Sequence, residues 1–453
     1  MRQSVLRKPA PFVSPGQRDR GAGRRRVYIL ARKTLRRNTR IFKQAKSLTD
    51  AGYEVLVIGV KPRDAPEWER RDGYAILRLR LAPLHGRIPR TVRRALTLIE
   101  RGLSAIGARS AAARLHGLNV VLTEWLGREL GRIAFPLRSW EYYKRTYRLL
   151  PSVLPVPDVF HANDLDTLLV AALLARRHHR PLVYDAQELY TGMHTLPAWY
   201  REWLRLQERV LIRRADRVTV VNDAVGEAMT RLYGRRIDAV ILNCPPYEPA
   251  PAVGAVTVRE RCGLAPGVNV MIYSGGLRPG RGIETAMRSL EHLPGWDLVV
   301  LGEGPLEPRL RELAACWGLQ ERIHFTAFVS HDHVAQFIST ADVGVIPYEN
   351  TGANHYLCSP SKLFHYVMAE LPIACSDFPF MRRVVVDNRI GATFDPASPA
   401  SVAAAVRDIA GDPRAYEEMK SRLRALKRRY SWEQEEKRFL SVYESLVPEL
   451  ERR

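Results

Sequence analysis

The chain has 453 residues, 46% of them hydrophobic, which favours two or more packed domains over a disordered or fibrous polypeptide. No apolar run reaches the roughly 18 residues of a membrane-spanning helix, and no apolar core follows the basic N-terminus, so neither a membrane span nor a secretory signal is expected. The formal net charge of +22 calls for an anionic partner: nucleic acid, an anionic membrane or a phosphorylated substrate.

In chain order, residues 1–24 read as a basic tail. Val27–Ala31 is an apolar strand, and Thr39–Ala51 a helix closed by Gly52. Tyr53–Val60 (YEVLVIGV) is the continuous apolar run of a buried parallel strand, and Tyr74–Leu81 is a third strand. Residues 83–150 form a basic insertion rich in helix. Strands at Asp158–His161, Pro181–Tyr184, Arg217–Val221 and Ala239–Leu242 then alternate with helices at Leu165–Arg177, Trp199–Ala215 and Ala224–Tyr233. Asn243–Val256, with four prolines, is a linker.

The alternation restarts beyond it. Strands are expected at Asn269–Ser274, Trp296–Leu301, Ile323–Phe325, Val343–Pro347 and Ile373–Ser376. Helices are expected at Ile283–Leu293, Leu306–Trp317, His333–Thr340, Ser361–Glu370, Ser401–Ala410 and about 413–449. Strand–helix alternation in two blocks predicts an α/β protein of two Rossmann-like doubly wound domains facing across a cleft, with a helical insertion in the first. The expected boundaries are 1–24 (tail), 25–245, 246–430 and a terminal helix 431–453 packing back on the first domain.

Five scattered cysteines form no C-x-x-C pair, so neither a zinc site nor a disulfide framework is expected. Chemistry concentrates in two turns of the second block. Tyr273–Gly282 (YSGGLRPGRG) places four glycines between a strand and a helix N-terminus, with Arg278 and Arg281 beside them. Glycine lets backbone approach a ligand closely, and the free N–H groups of a helix start suit phosphate. A tight turn that merely packs closely is the alternative. The G-K-[ST] of a P-loop is missing. In Leu357–Phe364 (LCSPSKLF), Lys362 occupies a first helical turn, where the dipole disfavours a cation unless an anion offsets it. A solvated lysine is the alternative there.

The ordered series YSGGLRPGRG (Tyr273–Gly282), LGEGP (Leu301–Pro305), IHFTAFV (Ile323–Val329), ADVGVIPY (Ala341–Tyr348) and PSKLFHYVMAELPIACSD (Pro360–Asp377) resembles the retaining glycosyltransferases of the GT-B fold, family four. AGYEVLV (Ala51–Val57), DVFHAND (Asp158–Asp164) and VYDAQELY (Val183–Tyr190) extend the resemblance more weakly into the first half. It implies a nucleoside-diphosphate sugar held by the second domain, an acceptor held by the first, and transfer with retention and without metal or other cofactor. By position it assigns the donor to Gly275, Gly276, Arg278, Arg281, Gly302, Phe328, Val329, Ser361, Lys362 and His365. Arg281 and Lys362 would stabilise the departing diphosphate. The chain departs from the pattern at Leu357 and His365, where the resemblance places glutamates, and at Gln187, where it places a histidine. Glu370 lies five residues beyond His365, on another helical face.

Facing groups from the first half are His161, Asp164 and Glu188 as catalytic candidates, and Asp185 and Gln187 on the acceptor side, all near strand ends. Capping or turn formation is the alternative role for the acids. Residues 1–37 hold twelve Lys/Arg against Asp19 alone, and residues 84–150 thirteen against four acids, so the positive surplus lies in the first half. From Ile88, the apolar residues Val92, Leu96, Ile99, Leu103 and Ile106 share one stripe of about 80°, with Arg90, Arg93, Arg94 and Arg101 opposite. That helix either packs on the domain or lies on an anionic membrane. Tyr142, Tyr143 and Tyr147 beside Lys144, Arg145 and Arg148 suit sugar stacking or a membrane interface. No nucleic-acid motif accompanies the charge. The expected setting is the cytoplasm, peripheral on the inner membrane face, with a glycan or lipid-linked acceptor. A sugar-nucleotide epimerase and a non-catalytic partner subunit of the same fold are the alternatives.

Overall fold

The computed structural model of the chain describes residues 24–36, 38–81, 139–148, 150–248, 256–265, 267–327, 329 and 333–452. Two sheets organise them. The first contains β1 (Arg26–Ala31), β2 (Glu54–Val60), β3 (Trp68–Arg71), β4 (Tyr74–Leu79), β5 (Val159–Asn163), β6 (Leu182–Ala186), β7 (Arg217–Val220) and β8 (Ala239–Val240). Their order is β3-β4-β2-β1-β5-β6-β7-β8, and every pairing except β3 with β4 is parallel. The second contains β9 (Asn269–Ser274), β10 (Trp296–Leu301), β11 (Ile323–Thr326), β12 (Val343–Ile346), β13 (Ile373–Ser376) and β14 (Gly391–Phe394), in the order β11-β10-β9-β12-β13-β14, all parallel.

Local chemistry explains the elements. Continuous apolar runs such as Val27–Ala31 and Val55–Ile58 are buried on both faces, as parallel strands flanked by helices must be. Asn38 caps the Thr39–Asp50 helix by accepting the Ile41 N–H at 3.1 Å, and Gly52 follows its end at φ 89°. Each sheet therefore carries a core on each face.

The Trp432–Glu444 helix leaves the second half and packs on the first. Trp432, Phe439 and Tyr443 share a core with Val27, Ile29, Ile41 and Leu48. Trp432 Nε1 donates to Ser47 Oγ at 3.0 Å.

Several expectations change. The Pro379–Val385 helix and β14 lie where the sequence reading placed nothing, because each is too short to show a period. The charged edge strand β3 escaped for the same reason. The helix expected at Ile283–Leu293 is α-helical only over Ile283–Arg288, then tightens to 3₁₀ through His292. Most of the insertion, with the Ile88–Ile106 stripe, lies outside the described residues. Its last part, 139–148, is a helix that buries Tyr142 and Tyr143 against the sheet, with Tyr142 Oη donating to Ile58 O at 3.3 Å. Those two tyrosines are core, not a sugar or membrane platform. Tyr147, half-buried, lies under Arg177.

Candidate active site

β9 delivers the chain into the glycine-rich turn. Gly275 has φ 138° and Gly302 φ 149°, and a Cβ on Gly302 would stand 2.0 Å from the Gly275 carbonyl oxygen. Gly282, at φ 62°, would put a Cβ 1.7 Å from the Pro347 oxygen. Both positions require glycine. Gly302 thus buttresses the turn from beneath and is itself buried.

Two cations meet above this turn. Arg281 Cζ lies 4.3 Å from the Tyr348 ring centroid. Lys362 Nζ lies 3.5 Å from the Tyr273 centroid and 5.0 Å from that of Tyr348. It also lies 3.1 Å from where a Gly275 side chain would begin. Lys362 is only 5% exposed, and its Nζ has no hydrogen-bond partner among the described residues. Neither has the buried Ser359 Oγ three positions earlier. Burial, and then the charge of Arg281, hold the Lys362 amine well below the usual lysine range. No side chain caps the Ser361–Met368 helix that carries it, so backbone N–H groups are left over there. A buried amine without an acceptor and uncapped N–H groups at a helix start together suit an anion.

The remaining donor-side residues are less uniform. Gly276 and Arg278 are exposed, and Arg278 leans over Gly276 without joining the two cations. Ser361 is half-buried and His365 buried. Val329 packs against the apolar core of the second half, and Phe328 lies outside the described residues. Glu370 is turned away, bonded to Arg424 at 2.8 Å and Lys427 at 3.1 Å.

The two halves touch at this site. The Leu189 N–H donates to Asn354 Oδ1 at 2.8 Å, and Asn222 Nδ2 donates to Leu357 O at 2.9 Å. His194 and His355 meet edge to face with centroids 5.8 Å apart. Exposed Glu188 is thereby brought near enough to Arg281, Tyr348 and Cys358 to act on their ionisation.

The other first-half residues separate. Asp164 is fully buried at φ 69°. It accepts from Lys33 Nζ at 2.7 Å and from the Gln187 N–H at 2.8 Å, and it makes no capping bond. Burial raises its pKa to about 6, against the pull of Lys33. Gln187 accepts from Lys33 Nζ at 3.2 Å. Asp185 is not available to an acceptor. Its two oxygens take bonds from Arg40, Gln44, Gln187 and Thr219, which hold it well below the usual carboxylate range despite burial. His161 is removed from the cleft altogether. It is fully buried, hydrogen-bonded through Nδ1 to Tyr443 Oη at 2.6 Å, and burial lowers its pKa to about 4. The terminal helix, far away in sequence, covers the face on which it lies.

Comparison with known proteins decides what frame these residues sit in. The sequence profile of the glycosyl transferases group 1 matches residues 257–426, and that of the glycosyl transferase 4-like domain matches residues 105–246. The chain belongs to the group 1 glycosyltransferases of the GT-B fold. It is 25% identical over 267 residues to a glycogen synthase of Mycobacterium tuberculosis, covering 57% of this chain and 61% of that protein. It therefore spans less than two thirds of that relative's length. It is 28% identical over 334 residues to the 2-deoxystreptamine N-acetyl-D-glucosaminyltransferase of Streptomyces fradiae, 68% of each chain. In structure it is similar to a sucrose-phosphate synthase from Thermosynechococcus elongatus, with TM-score 0.69 and 17% identity over 94% of this chain and all of that one. It is likewise similar to HepE of Anabaena, solved with UDP and glucose, with TM-score 0.65 and 14% identity over 93% of this chain and all of that one.

Within this group 1 chain, sequence reasoning passed over Lys33, Arg40, Tyr273, Tyr348 and Asn354. Lys33, Tyr273 and Tyr348 had a usable signal, since each stands at or near the carboxyl end of a strand. Arg40 and Asn354 had none, because their partners, Asp185 and Leu189, lie 145 and 165 residues away.

Proposed function

We propose that this chain moves a sugar from a nucleoside-diphosphate sugar to a glycan or lipid-linked acceptor, with retention and without a metal ion, in cell-surface polysaccharide or glycolipid assembly. The observation that carries the reading is Lys362: a buried amine without an acceptor, paired with Arg281 over one tyrosine ring beside the glycine-rich turn. A diphosphate supplies the missing negative charge, restores the Lys362 ammonium and accepts the free N–H groups of the Ser361–Met368 helix. The names of the relatives, and the UDP and glucose held by HepE, support the same donor class.

In this reading the anomeric C–O bond breaks as negative charge grows on the diphosphate, and Arg281 and Lys362 stabilise that charge. The acceptor oxygen bonds to the same face of the sugar, and its proton passes to the departing phosphate oxygen. Asp164 is tied to Lys33 and Gln187, which suits a positioning role, and Glu188 is the carboxylate on the acceptor side of the cleft. The protein acts in the cytoplasm, peripheral to the inner membrane face.

A second reading, a partner subunit without activity, draws on Leu357, which packs into the cores of both halves where the family resemblance places a glutamate. Titration calorimetry with UDP, GDP and ADP tests both. One nucleoside diphosphate is expected to bind the wild type, and Arg281→Ala to weaken it at least about 100-fold, the loss of a charge-assisted pair in a desolvated site. No binding by the wild type overturns the transfer reading, and unchanged affinity in Arg281→Ala overturns the assigned site.

A further inference from the structure

The Ala198–Leu211 helix has two apolar faces. Tyr200 and Leu204 enter the core of the first sheet, and Glu208 is buried on the same side of the helix. The other face is open to solvent: Trp199 is 62% exposed, Trp203 46%, Leu206 64% and Val210 53%. At 100° per residue these four fall within about 60° of one another. Trp140, 65% exposed, extends the patch from the neighbouring 139–148 helix, which is bound alongside through Ser139 and Tyr200. Large apolar side chains exposed contiguously mark an interaction surface.

Charge selects the occupant. Exposed Arg205, Arg209 and Arg214 lie beside the stripe, and the one exposed acid of the helix, Glu202, pairs with Arg205 at 3.2 Å. Segment 82–138 rejoins the described chain at Ser139, beside the stripe, and is itself strongly basic. An anionic surface attracts the exposed arginines beside the stripe. Tryptophan flanked by arginine is also the pattern of side chains that settle at a lipid–water boundary.

We propose that Trp140, Trp199, Trp203, Leu206 and Val210 insert into the interfacial layer of an anionic lipid bilayer, with Arg205, Arg209 and Arg214 on the headgroups. This rests on the lipid-linked form of the acceptor proposed above, and it moves the membrane contact from the Ile88–Ile106 stripe to the Ala198–Leu211 helix. The first domain would then lie on the membrane with its cleft open to an acceptor held in the bilayer.

The test uses the full chain and two vesicle preparations, phosphatidylcholine alone and an equal mixture with phosphatidylglycerol. Sedimentation is expected with the mixed vesicles only, weakening about tenfold or more as salt rises from about 0.1 to 0.5 M. Trp199→Ser/Trp203→Ser/Leu206→Ser should lose sedimentation at least about tenfold while nucleoside-diphosphate binding stays unchanged. In the milder Trp199→Phe/Trp203→Phe, quenching of emission by brominated lipid should fall sharply. Equal sedimentation of the triple variant, or equal quenching of the double-Phe variant, overturns the proposal. So does protection of Trp199 and Trp203 from acrylamide without vesicles, which would show the patch covered by the protein itself. Loss of vesicle binding with intact nucleotide binding leaves the transfer reading standing, and the converse result removes that reading alone.

Discussion

Tyr348 does at the residue scale what an acid would do elsewhere. Arg281 and Lys362 approach the same ring, at 4.3 and 5.0 Å, and neither has a carboxylate partner in the structure's ion pairs among the described residues. The negative face of the ring favours positive charge on both, and neither is tied to a carboxylate that would compete with an anion. Such a contact is worth about 0.5 to 2 kcal/mol. Tyr348→Leu is therefore expected to weaken nucleoside-diphosphate binding about fivefold and leave the bare nucleoside unaffected, whereas Tyr348→Phe should bind like the wild type. Equal loss in Leu and Phe would assign the role to the hydroxyl. Arg281 and Lys362 were legible because strand-to-helix turns place charge where α/β sheets bind ligands. His161 was not, because a strand end says nothing about which face the residue meets, and its cover, Tyr443, lies 282 residues away.

At the scale of the element, the Ala198–Leu211 helix carries a buried carboxyl as well as its exposed stripe. Glu208 accepts from Tyr184 Oη and Tyr233 Oη, each at 2.6 Å, and burial pushes its pKa up to about 7. The unfolded chain titrates this group near 4.5, so the folded state binds the proton more tightly. The resulting stabilisation is complete below about pH 4.5 and is lost as pH rises through about 7. Glu208→Gln removes that dependence. The melting temperature of the wild type relative to Glu208→Gln should fall between pH 5 and pH 8, and a difference independent of pH would refute the assignment. The helix itself was readable from its period, but the partition of its two apolar faces was not. A hydrophobic residue in a sequence carries no record of whether a neighbour covers it.

For the whole molecule, the terminal helix matters most. Tyr443 is fully buried against His161 and Phe439, with the His161 ring parallel to its own at 6.3 Å. The chain thus closes the first domain with residues that follow the second. Tyr443→Ala should cost about 3 to 5 kcal/mol of stability in urea denaturation, the usual loss for a large buried aromatic ring. A loss under about 1 kcal/mol would show that the helix is an accessory to the first domain, not part of it. The same connection means that movement of one half against the other is registered where the helix crosses, near Pro245 and Trp432, whose backbones are hydrogen-bonded at 2.8 Å.

The two-block alternation of strands and helices, the glycine-rich turn and the positions of Arg281 and Lys362 were determined by sequence alone, whereas β3, β14 and the Pro379–Val385 helix were not. Apolar runs, glycines and helix starts act over a few residues, and their physics is local. The tertiary structure decided the roles of the first-half residues: it buried His161, saturated Asp185, tied Asp164 to Lys33 and carried Glu188 to Arg281. Each of those outcomes depends on desolvation and on groups brought together from distant parts of the chain. Lys362 joins both: its place at the helix start was visible in the sequence, but only packing showed it buried without a partner.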